Sequence, residues 1–497
     1  MNTGLIRLLP ELVLCFGALL IIFIDIIYSD IKKYWLGFLA YGFTIISFIC
    51  LFILGSNKTW LIVQGSYAVD GFSIFCKALL LIAGSVIILF SIAYVYRGME
   101  YKAEFFALIL FSLMSMLVLV SSADLILILL AFEFVSISSY ILVGYHRDDM
   151  KSREASLKYF FYGAISAAIL VMGFSFLYGL TGETNIYLIA RALGGKTQLL
   201  IPDYTLLALL GLVLVGAGFG FKIGMFPFQM WIPDVYEGAP TPVTAFLSVA
   251  SKSAGVALLL RFFFVVFTNN FSINWSIILL VISIITMFTG NLMAISQNNI
   301  KRMLGYSSIA HVGYILAGIV GIYHYKITTG YTGATFDVSP ILIYLTAYIY
   351  MNLGAFAVII LSEDMTGDNI PSYAGMSQRS PLLAGMLTIF MLSLAGIPPT
   401  IGFIGKFFIF GELVNASHYL LVILAVINSI ISVYYYFRVV YFMYFVPPET
   451  EKKGFSYSLL TMGALWACFA GTLFIGISPN LFIELAKKAL IGIDIIR

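Results

Sequence analysis

The chain has 497 residues, of which 61% are hydrophobic and 10% are charged, and its formal net charge is +3. A soluble protein needs about 25% charged residues, so this composition excludes a soluble globular protein. The net charge is also too small and too dispersed to indicate a nucleic-acid partner.

Apolar runs of about 20 residues, each long enough to cross a hydrocarbon layer about 30 Å thick, recur from end to end. Hydropathy predicts an all-α polytopic membrane protein with about fourteen transmembrane helices. The predicted helices are 10–28, 35–54, 72–96, 105–121, 124–144, 157–180, 204–224, 241–268, 275–296, 301–322, 338–361, 381–416, 418–446 and 457–478. The connections are too short for a soluble catalytic domain. The first run has no small-residue cleavage site after it, which favours a membrane helix over a signal peptide.

Two apolar stretches do not fit a single straight crossing. The stretch 382–414 is far longer than one membrane crossing, and 204–236 contains Lys222, Pro227 and Pro233. Irregular backbone at membrane depth is tolerated where it is buried in protein or lines a wet cavity, so both stretches are predicted to be broken helices. Two interrupted segments in corresponding halves indicate the inverted repeats of secondary transporters.

Lysine and arginine in the loops predict the orientation. One side collects Lys32, Lys33, Arg97, Lys102, Arg147, Lys151, Arg153, Lys301, Arg302, Arg379, Lys452 and Lys453. The positive-inside rule places this richer side in the cytoplasm. With an even number of helices, both termini are then predicted to face the outer, periplasmic side of a bacterial inner membrane.

Six ionisable residues lie within predicted helices. They are Glu133, Lys158, Lys222, Lys252, His311 and Lys406. A charge at the bilayer centre costs about 2.5–3.5 kcal/mol even on a lenient scale, so these side chains are expected to face the bundle interior. One carboxylate cannot neutralise four ammonium groups. Burial and mutual repulsion make such lysines able to release protons, so the set predicts a proton relay.

A structural alternative stays open at this point: the same groups could form buried ion pairs or cap the ends of broken helices. His311 could bridge the relay or bond a neighbouring helix. Lys77 and Asp25 lie near helix ends and are expected to snorkel to the interface, and Arg261 and Arg438 also approach helix ends.

No cofactor site is predicted on this chain. The four cysteines form no CxxC pair, and His146, His324 and His418 lie in or beside predicted loops without ligand spacing. The string ARALGGKT (190–197) lacks the first glycine of a phosphate-binding loop and is predicted to be a loop between membrane helices. No GxGxxG fingerprint is present either, so the chain is not expected to bind NAD(H).

Three long strings carry a family resemblance. They are FPFQMWIPDVYEGAPTPVTAFLSVASKSAG (226–255), NNIKRMLGYSSIAHVGYILAG (298–318) and LSLAGIPPTIGFIGKFFIFGEL (392–413). In this order, and with the helix pattern around them, they resemble the antiporter-like subunits of respiratory complex I, a family related to the large subunits of multisubunit cation/proton antiporters. The string DVYEGAPTPVTAFLS and a lysine at position 406 resemble the N type of that family.

The resemblance implies an antiporter-like fold with two inverted five-helix repeats, in which helices seven and twelve are broken. The implied divisions are 1–104 (helices one to three), 105–270 (first repeat), 271–446 (second repeat) and 447–497 (helix fourteen and tail). It also implies roles for single residues. Glu133 and Lys222 match the family's ion pair, Lys158 matches the lysine of helix six, Lys252 the central relay lysine and Lys406 the terminal one. His311 falls where the family often has a polar or ionisable residue.

The function implied is proton translocation coupled to electron transfer from NADH to quinone elsewhere in a complex. The implied partners are other membrane-arm subunits, including other antiporter-like subunits, together with the lipid bilayer and protons. FMN, iron–sulfur clusters and the quinone site are expected on partner subunits. Three alternatives stay open: a subunit of a stand-alone Na⁺/H⁺ antiporter, a subunit of a ferredoxin-dependent photosynthetic complex, and a scaffold with inert charges.

Overall fold

The computed structural model describes residues 5–28, 34–53, 59–99, 102–196, 205–267, 275–328, 335–448, 458–489 and 491–492, and these are almost entirely helical. The first helices are α1 (Leu9–Ile27), α2 (Tyr34–Ile53), α3 (Gly71–Gly98), α4 (Lys102–Ser121), α5 (Leu125–Val143), α6 (Met150–Thr181), α7 (Ile186–Arg191), α8 (Thr205–Ile223), α9 (Trp231–Gly238), α10 (Thr241–Phe246) and α11 (Lys252–Val266). The remaining helices are α12 (Trp275–Ile295), α13 (Ile300–Thr328), α14 (Ser339–Thr366), α15 (Met376–Arg379), α16 (Pro381–Ala395), α17 (Ile401–Asn415), α18 (Tyr419–Phe445), α19 (Leu459–Ile477) and α20 (Asn480–Lys487).

Within the described residues, 13 helices are long and apolar enough to cross a membrane, with 241–266 counted as one. The shorter helices α16 and α17 follow one another across a five-residue interruption, 396–400. The prediction of a multi-pass, all-α membrane protein is therefore confirmed.

The strands are short and lie outside these helices. Strand β1 (Trp60–Ile62) pairs antiparallel with β2 (Tyr67–Val69), and β3 (Thr335–Phe336) pairs antiparallel with β4 (Ile491–Gly492). The second pairing joins the segment before α14 to the segment after α20.

Helix α6 is longer than its hydropathy predicts, since it begins at Met150 rather than at 157. Asp149 caps this end, where its carboxylate accepts hydrogen bonds from the backbone N–H groups of Lys151 and Ser152. The first two turns are polar, so a hydropathy window does not detect them although they are helical.

Two helices are interrupted inside the bundle. Helix α8 ends before Gly224, which has φ +82°, and α9 follows at Trp231. Helix α16 ends before Gly396, which has φ +88°, and α17 follows at Ile401. Glycine occupies this left-handed conformation without a steric penalty. Each interruption also contains a cis proline bond, at Phe226–Pro227 and at Pro398–Pro399.

The predicted uninterrupted helix 241–268 contains a wide, π-helical turn at Leu247–Ser251, between α10 and α11. Such turns insert one residue into the helical register and occur frequently at functional sites. The turn ends directly before Lys252. Nothing in the apolar pattern of this segment indicates it.

The prediction that ARALGGKT (190–197) is a loop is wrong for residues 190–196. Asn185 caps the short helix α7, and a π-helical turn follows at Ala192–Lys196. The amide side chain of Asn185 accepts hydrogen bonds from two backbone N–H groups and so starts a helix that sequence composition did not favour.

The core of the bundle consists of the segment 241–266 together with α13 and α14. Their apolar windows are 94–100% buried, whereas those of α1, α2, α6 and α18 are only 33% buried. Helices of the second kind form the periphery, where apolar side chains face outward. Most of the predicted ionisable residues therefore lie on or beside the central helices.

Candidate functional site

Lys222 lies in the last turn of α8, directly before the interruption at Gly224. Its side chain is 1% exposed, and its ammonium group donates to the Ser136 hydroxyl at 3.2 Å. The ring of Phe132 lies 5.5 Å from the same nitrogen. Lys222 is therefore held by a hydroxyl and an aromatic face of α5.

Glu133 lies on α5 one turn before Ser136, and it is half-buried. It interacts electrostatically with Lys222, but the ion pairs of the described residues do not include a direct Glu133–Lys222 contact. One carboxylate oxygen, Oε1, is buried without a hydrogen-bond partner. In this conformation the Lys222 ammonium group donates to Ser136, whereas the family resemblance implies Glu133 as its partner.

Lys158 is not a buried residue, and that part of the prediction is wrong. Its side chain is 40% exposed and contacts two carboxylates, Glu154 at 2.7 Å and Asp234 at 2.8 Å. Position 158 follows the two polar turns that begin α6, and both of its carboxylate partners are exposed or partly exposed. It therefore belongs to a partly exposed ion-pair cluster.

Lys252 follows the π-helical turn and is 2% exposed. Its ammonium group donates to the hydroxyl of Ser308 on α13, and the ring of Tyr236 on α9 lies 5.5 Å from it. In the described part of the chain it contacts no carboxylate. Lys252 thus joins the first half of the chain to α13.

His311 lies one turn after Ser308 on the same side of α13 and is buried. Its Nδ1 shares a hydrogen bond with the Tyr344 hydroxyl (2.5 Å), and its Nε2 shares one with the Tyr436 hydroxyl (3.2 Å). A neutral imidazole donates through one nitrogen and accepts through the other. This geometry allows the ring to pass a proton between two hydroxyl groups.

Lys406 lies in α17 after the second interruption. It donates to the carbonyl oxygens of Leu394 (3.2 Å) and Ala395 (2.8 Å) and to the Ser429 hydroxyl (2.9 Å). These carbonyls belong to the last turn of α16, the negative end of its dipole. The interruption therefore creates the acceptors that hold this ammonium group inside the bundle.

A band of polar side chains continues from His311 to Lys406. Tyr436 lies against Tyr435 with ring centroids 4.4 Å apart, and Tyr435 donates to Asn291 Oδ1 at 2.9 Å. Asn291 donates in turn to Asn428 Oδ1 at 3.0 Å. Asn428 is the neighbour of Ser429, the residue that accepts from Lys406. The sequence analysis missed these amides, although Asn291 and Asn428 are polar residues within apolar helices and could have been flagged on that ground.

A second connection runs along α13 itself. Ser308, His311 and Tyr314 follow one another at one-turn spacing, and we call this set the α13 face. Lys252 donates to its first member, and Lys406 lies 5.1 Å from the ring of its last. The α13 face therefore extends from the central lysine to the terminal one.

Two buried ion pairs lie outside this band. Arg261 on α11 makes two hydrogen bonds to Asp70, at 2.8 and 2.9 Å, and also donates to the carbonyl oxygen of Val120. Lys77 contacts Glu11 at 2.8 Å. Both cations are 1% exposed. The prediction that Lys77 snorkels is therefore wrong, and Arg261 is buried, since each finds a carboxylate on a distant segment.

The histidines outside the relay show one pairing that sequence spacing conceals. The rings of His324, near the end of α13, and His418, before α18, lie 4.4 Å apart. No group of three or more histidine, cysteine or acidic residues in the described ranges could hold a metal ion.

These side chains together could move a proton. Three buried ammonium groups, at positions 222, 252 and 406, lie at the two helix interruptions and beside the π-helical turn. Hydroxyl, imidazole and amide groups occupy the space between the second and the third. Broken helices with buried ionisable groups are the usual site of ion translocation in transporters.

Comparisons with known proteins show which chains this one is similar to. Residues 122–432 match the family described as NADH:quinone oxidoreductase/Mrp antiporter, transmembrane. The chain is 40% identical over 490 residues to NADH-quinone oxidoreductase subunit N of Trichlorobacter lovleyi, a match that covers 97% of this chain and 96% of that protein. It is also similar to a chain of respiratory complex I from Thermus thermophilus, with a TM-score of 0.79, 27% identity and coverage of 96% and 99%. A chain of the Mrp complex from Dietzia sp. has the same fold, with a TM-score of 0.83 at 18% identity and coverage of 98% and 97%.

Proposed function

The chain belongs to the NADH:quinone oxidoreductase/Mrp antiporter family of membrane subunits, and on that basis we propose that it is a membrane-arm subunit of a proton-translocating NADH:quinone oxidoreductase. Two relatives at 40% and 39% identity are named NADH-quinone oxidoreductase subunit N, and the matches cover 96% and 90% of those proteins. The likeness to the Mrp complex, at 18% identity, extends to the fold alone. A stand-alone antiporter is therefore not favoured, and neither is a photosynthetic complex.

The proton path of this proposal runs from Lys222 through Lys252 and the α13 face to Lys406. Electron transfer in partner subunits changes the charge near one end of the chain. In response, the Lys222 ammonium group exchanges the Ser136 hydroxyl for the Glu133 carboxylate, or the reverse. Moving one charge against 100 mV costs about 2.3 kcal/mol. That is about a 50-fold change in an equilibrium constant, which a shift of buried charge can supply.

The observation that carries the proposal is the way the buried lysines are held. Lys252 and Lys406 are joined by hydroxyl, imidazole and amide groups, and neither contacts a carboxylate in the described part of the chain. A lysine fixed in an ion pair keeps its proton, whereas a lysine held by neutral groups can exchange it. Inert structural charges explain this arrangement less well.

The proposal also covers the division of the chain and its placement. Residues 105–270 and 271–446 are the two repeats, because each contains one interruption that begins at a glycine with positive φ. The termini face the periplasmic side of a bacterial inner membrane. FMN, iron–sulfur clusters and the quinone site belong to partner subunits, and other antiporter-like subunits are neighbours in the membrane arm.

The test replaces Lys252 or Lys406 by alanine and measures proton pumping and NADH:quinone reduction in membrane vesicles that contain the assembled complex. We expect pumping per NADH to fall steeply, while quinone reduction persists at a reduced rate. Lys487→Ala, an exposed lysine of α20, is the matched control. Normal pumping by both variants in an assembled complex would refute the relay.

A further inference from the structure

The helix α9 is held at one end by charges from two other helices. Asp234 contacts Lys158 of α6 at 2.8 Å and Arg302 of α13 at 2.7 Å. Glu237, one turn later, contacts Arg302 at 3.0 Å and Lys151 of α6 at 2.9 Å. We call these five residues the α9 clamp.

Two buried aromatic residues of α9 lie near Lys222 and Lys252. Trp231 donates its indole N–H to the carbonyl oxygen of Phe221 at 2.9 Å, one residue before Lys222. Tyr236 lies two residues after Asp234 and places its ring 5.5 Å from the ammonium group of Lys252. A shift of α9 would therefore change the surroundings of both buried lysines at once.

Each contact of the α9 clamp joins a cation to a carboxylate, so the clamp needs a charge on both partners and no proton transfer between them. Asp234 lies between two cations, and its side chain is 31% exposed in the isolated chain. Removing either the Lys158 ammonium or the Asp234 carboxylate leaves Lys151–Glu237 as the ion pair between α9 and α6 in the described residues, beside the stacking of Tyr159 on Trp231 at a centroid distance of 4.4 Å. An arginine at position 158 would keep the ion pair but could not release a proton.

We propose that Asp234 is a positioning residue, which together with Lys158 and Arg302 fixes α9 so that Tyr236 and Trp231 set the surroundings of Lys252 and Lys222. Lys158 acts in this clamp as a permanent positive charge and not as a proton carrier. The inference rests on the proposed function, because it assigns these residues a place in proton translocation.

The experiment compares Lys158→Arg, Lys158→Gln and Asp234→Asn in the assembled complex. We expect Lys158→Arg to pump like the parent, whereas Lys158→Gln and Asp234→Asn lower pumping per NADH about fivefold, the lower range of coupling between sites. The pH profile of pumping should shift in these two variants and not in Lys158→Arg. Glu154→Gln is the matched control, because Glu154 pairs with Lys158, whereas the ion pairs to α9 in the described residues come from Lys151, Lys158 and Arg302.

A second measurement is independent of pumping. Hydrogen–deuterium exchange of the amides at 231–238 should be faster in Lys158→Gln and Asp234→Asn than in the parent, Lys158→Arg and Glu154→Gln. Loss of pumping in Lys158→Arg would overturn the inference, since it would identify Lys158 as a proton carrier. Unchanged exchange in Asp234→Asn would also overturn it. If Lys252→Ala pumped normally, the relay itself would fail, and the exchange data would still decide whether the clamp holds α9.

Discussion

Buried cations in this protein are held in two chemically distinct ways. Lys77 and Arg261 contact carboxylates directly, and Arg261 does so through two hydrogen bonds. Lys222 and Lys406 instead contact hydroxyl or carbonyl oxygens. A carboxylate partner stabilises the charged form, so the first group suits structure and the second suits proton exchange.

Removing the partner of a structural cation should be costly. In Asp70→Ala the guanidinium of Arg261 stays buried without its carboxylate, and breaking such a pair typically costs about 3–5 kcal/mol. We expect a large drop in the midpoint of thermal unfolding of the detergent-solubilised protein. In Glu154→Ala the lost pair is exposed and is worth about 1 kcal/mol or less. Equal midpoints for the two variants would contradict this view of Arg261.

Removing the hydroxyl that holds a relay cation should change function more than stability. Ser308→Ala deletes the acceptor of Lys252, whereas Ser308→Thr keeps a hydroxyl at the same position. A hydrogen bond to a charged group is worth about 1.5–3 kcal/mol, so proton pumping should fall about tenfold or more in Ser308→Ala. The threonine variant should retain most of the activity. Similar pumping rates in the two variants would show that Ser308 does not act on Lys252.

At the scale of elements, the interruption between α16 and α17 is organised around Lys406. Gly396 has φ +88°, and a Cβ at this position would lie 2.8 Å from Cδ of Lys406. The glycine thus has two functions: it ends α16 and leaves room for the lysine stem. The second function connects backbone geometry directly to the relay.

Gly396→Ala should therefore impair the relay through the backbone. The left-handed conformation costs an alanine about 1 kcal/mol, and the methyl group would displace the Lys406 side chain. We expect reduced pumping per NADH with the complex still assembled. Gly411→Ala on α17 is the matched control, because a Cβ there meets nothing within 4 Å. Full pumping by Gly396→Ala would show that Lys406 tolerates displacement.

Sequence alone predicts the elements better than their partners. Hydropathy located the crossings, and the cost of burial singled out Lys222, Lys252 and Lys406 as interior residues. It could not show that Arg261 meets Asp70, because the two residues lie far apart in the chain and the pairing depends on packing. The π-helical turn before Lys252 leaves no trace in an apolar pattern either. Lys158 was misplaced because hydropathy does not show that the carboxylates of Glu154 and Asp234 lie beside it.

At the scale of the whole molecule, α13 connects the two halves of the relay. It carries the α13 face through the centre of the bundle, beside Lys252 near one interruption and Lys406 at the other. Its first turn also supplies Arg302 to the α9 clamp. Helix α13 therefore contacts Lys252, Lys406 and, through Arg302, the α9 clamp.

A path in series predicts how variants combine. If one proton passes both Lys252 and Lys406, the double variant Lys252→Ala/Lys406→Ala should pump as many protons per NADH as the less active of the two single variants. Independent routes would give losses that multiply, as expected for uncoupled sites. The measurement is proton pumping per NADH in vesicles with matched amounts of assembled complex. Multiplying losses would contradict a single path.

The length of α6 has a consequence for the conditions under which the protein works. Its 32 residues extend about 48 Å, whereas the hydrocarbon layer is about 30 Å thick, and the polar excess lies at the Met150 end. With the apolar part of α6 in that layer, the charges at this end lie in the headgroup region, where dissolved ions screen them over about 10 Å at 0.1 M salt and about 3 Å at 1 M. Ionic strength should therefore loosen the contacts of Asp234 while leaving the interior ammonium groups beyond the reach of counterions, so the coupling ratio of the enzyme becomes sensitive to the salt of the compartment that this end faces.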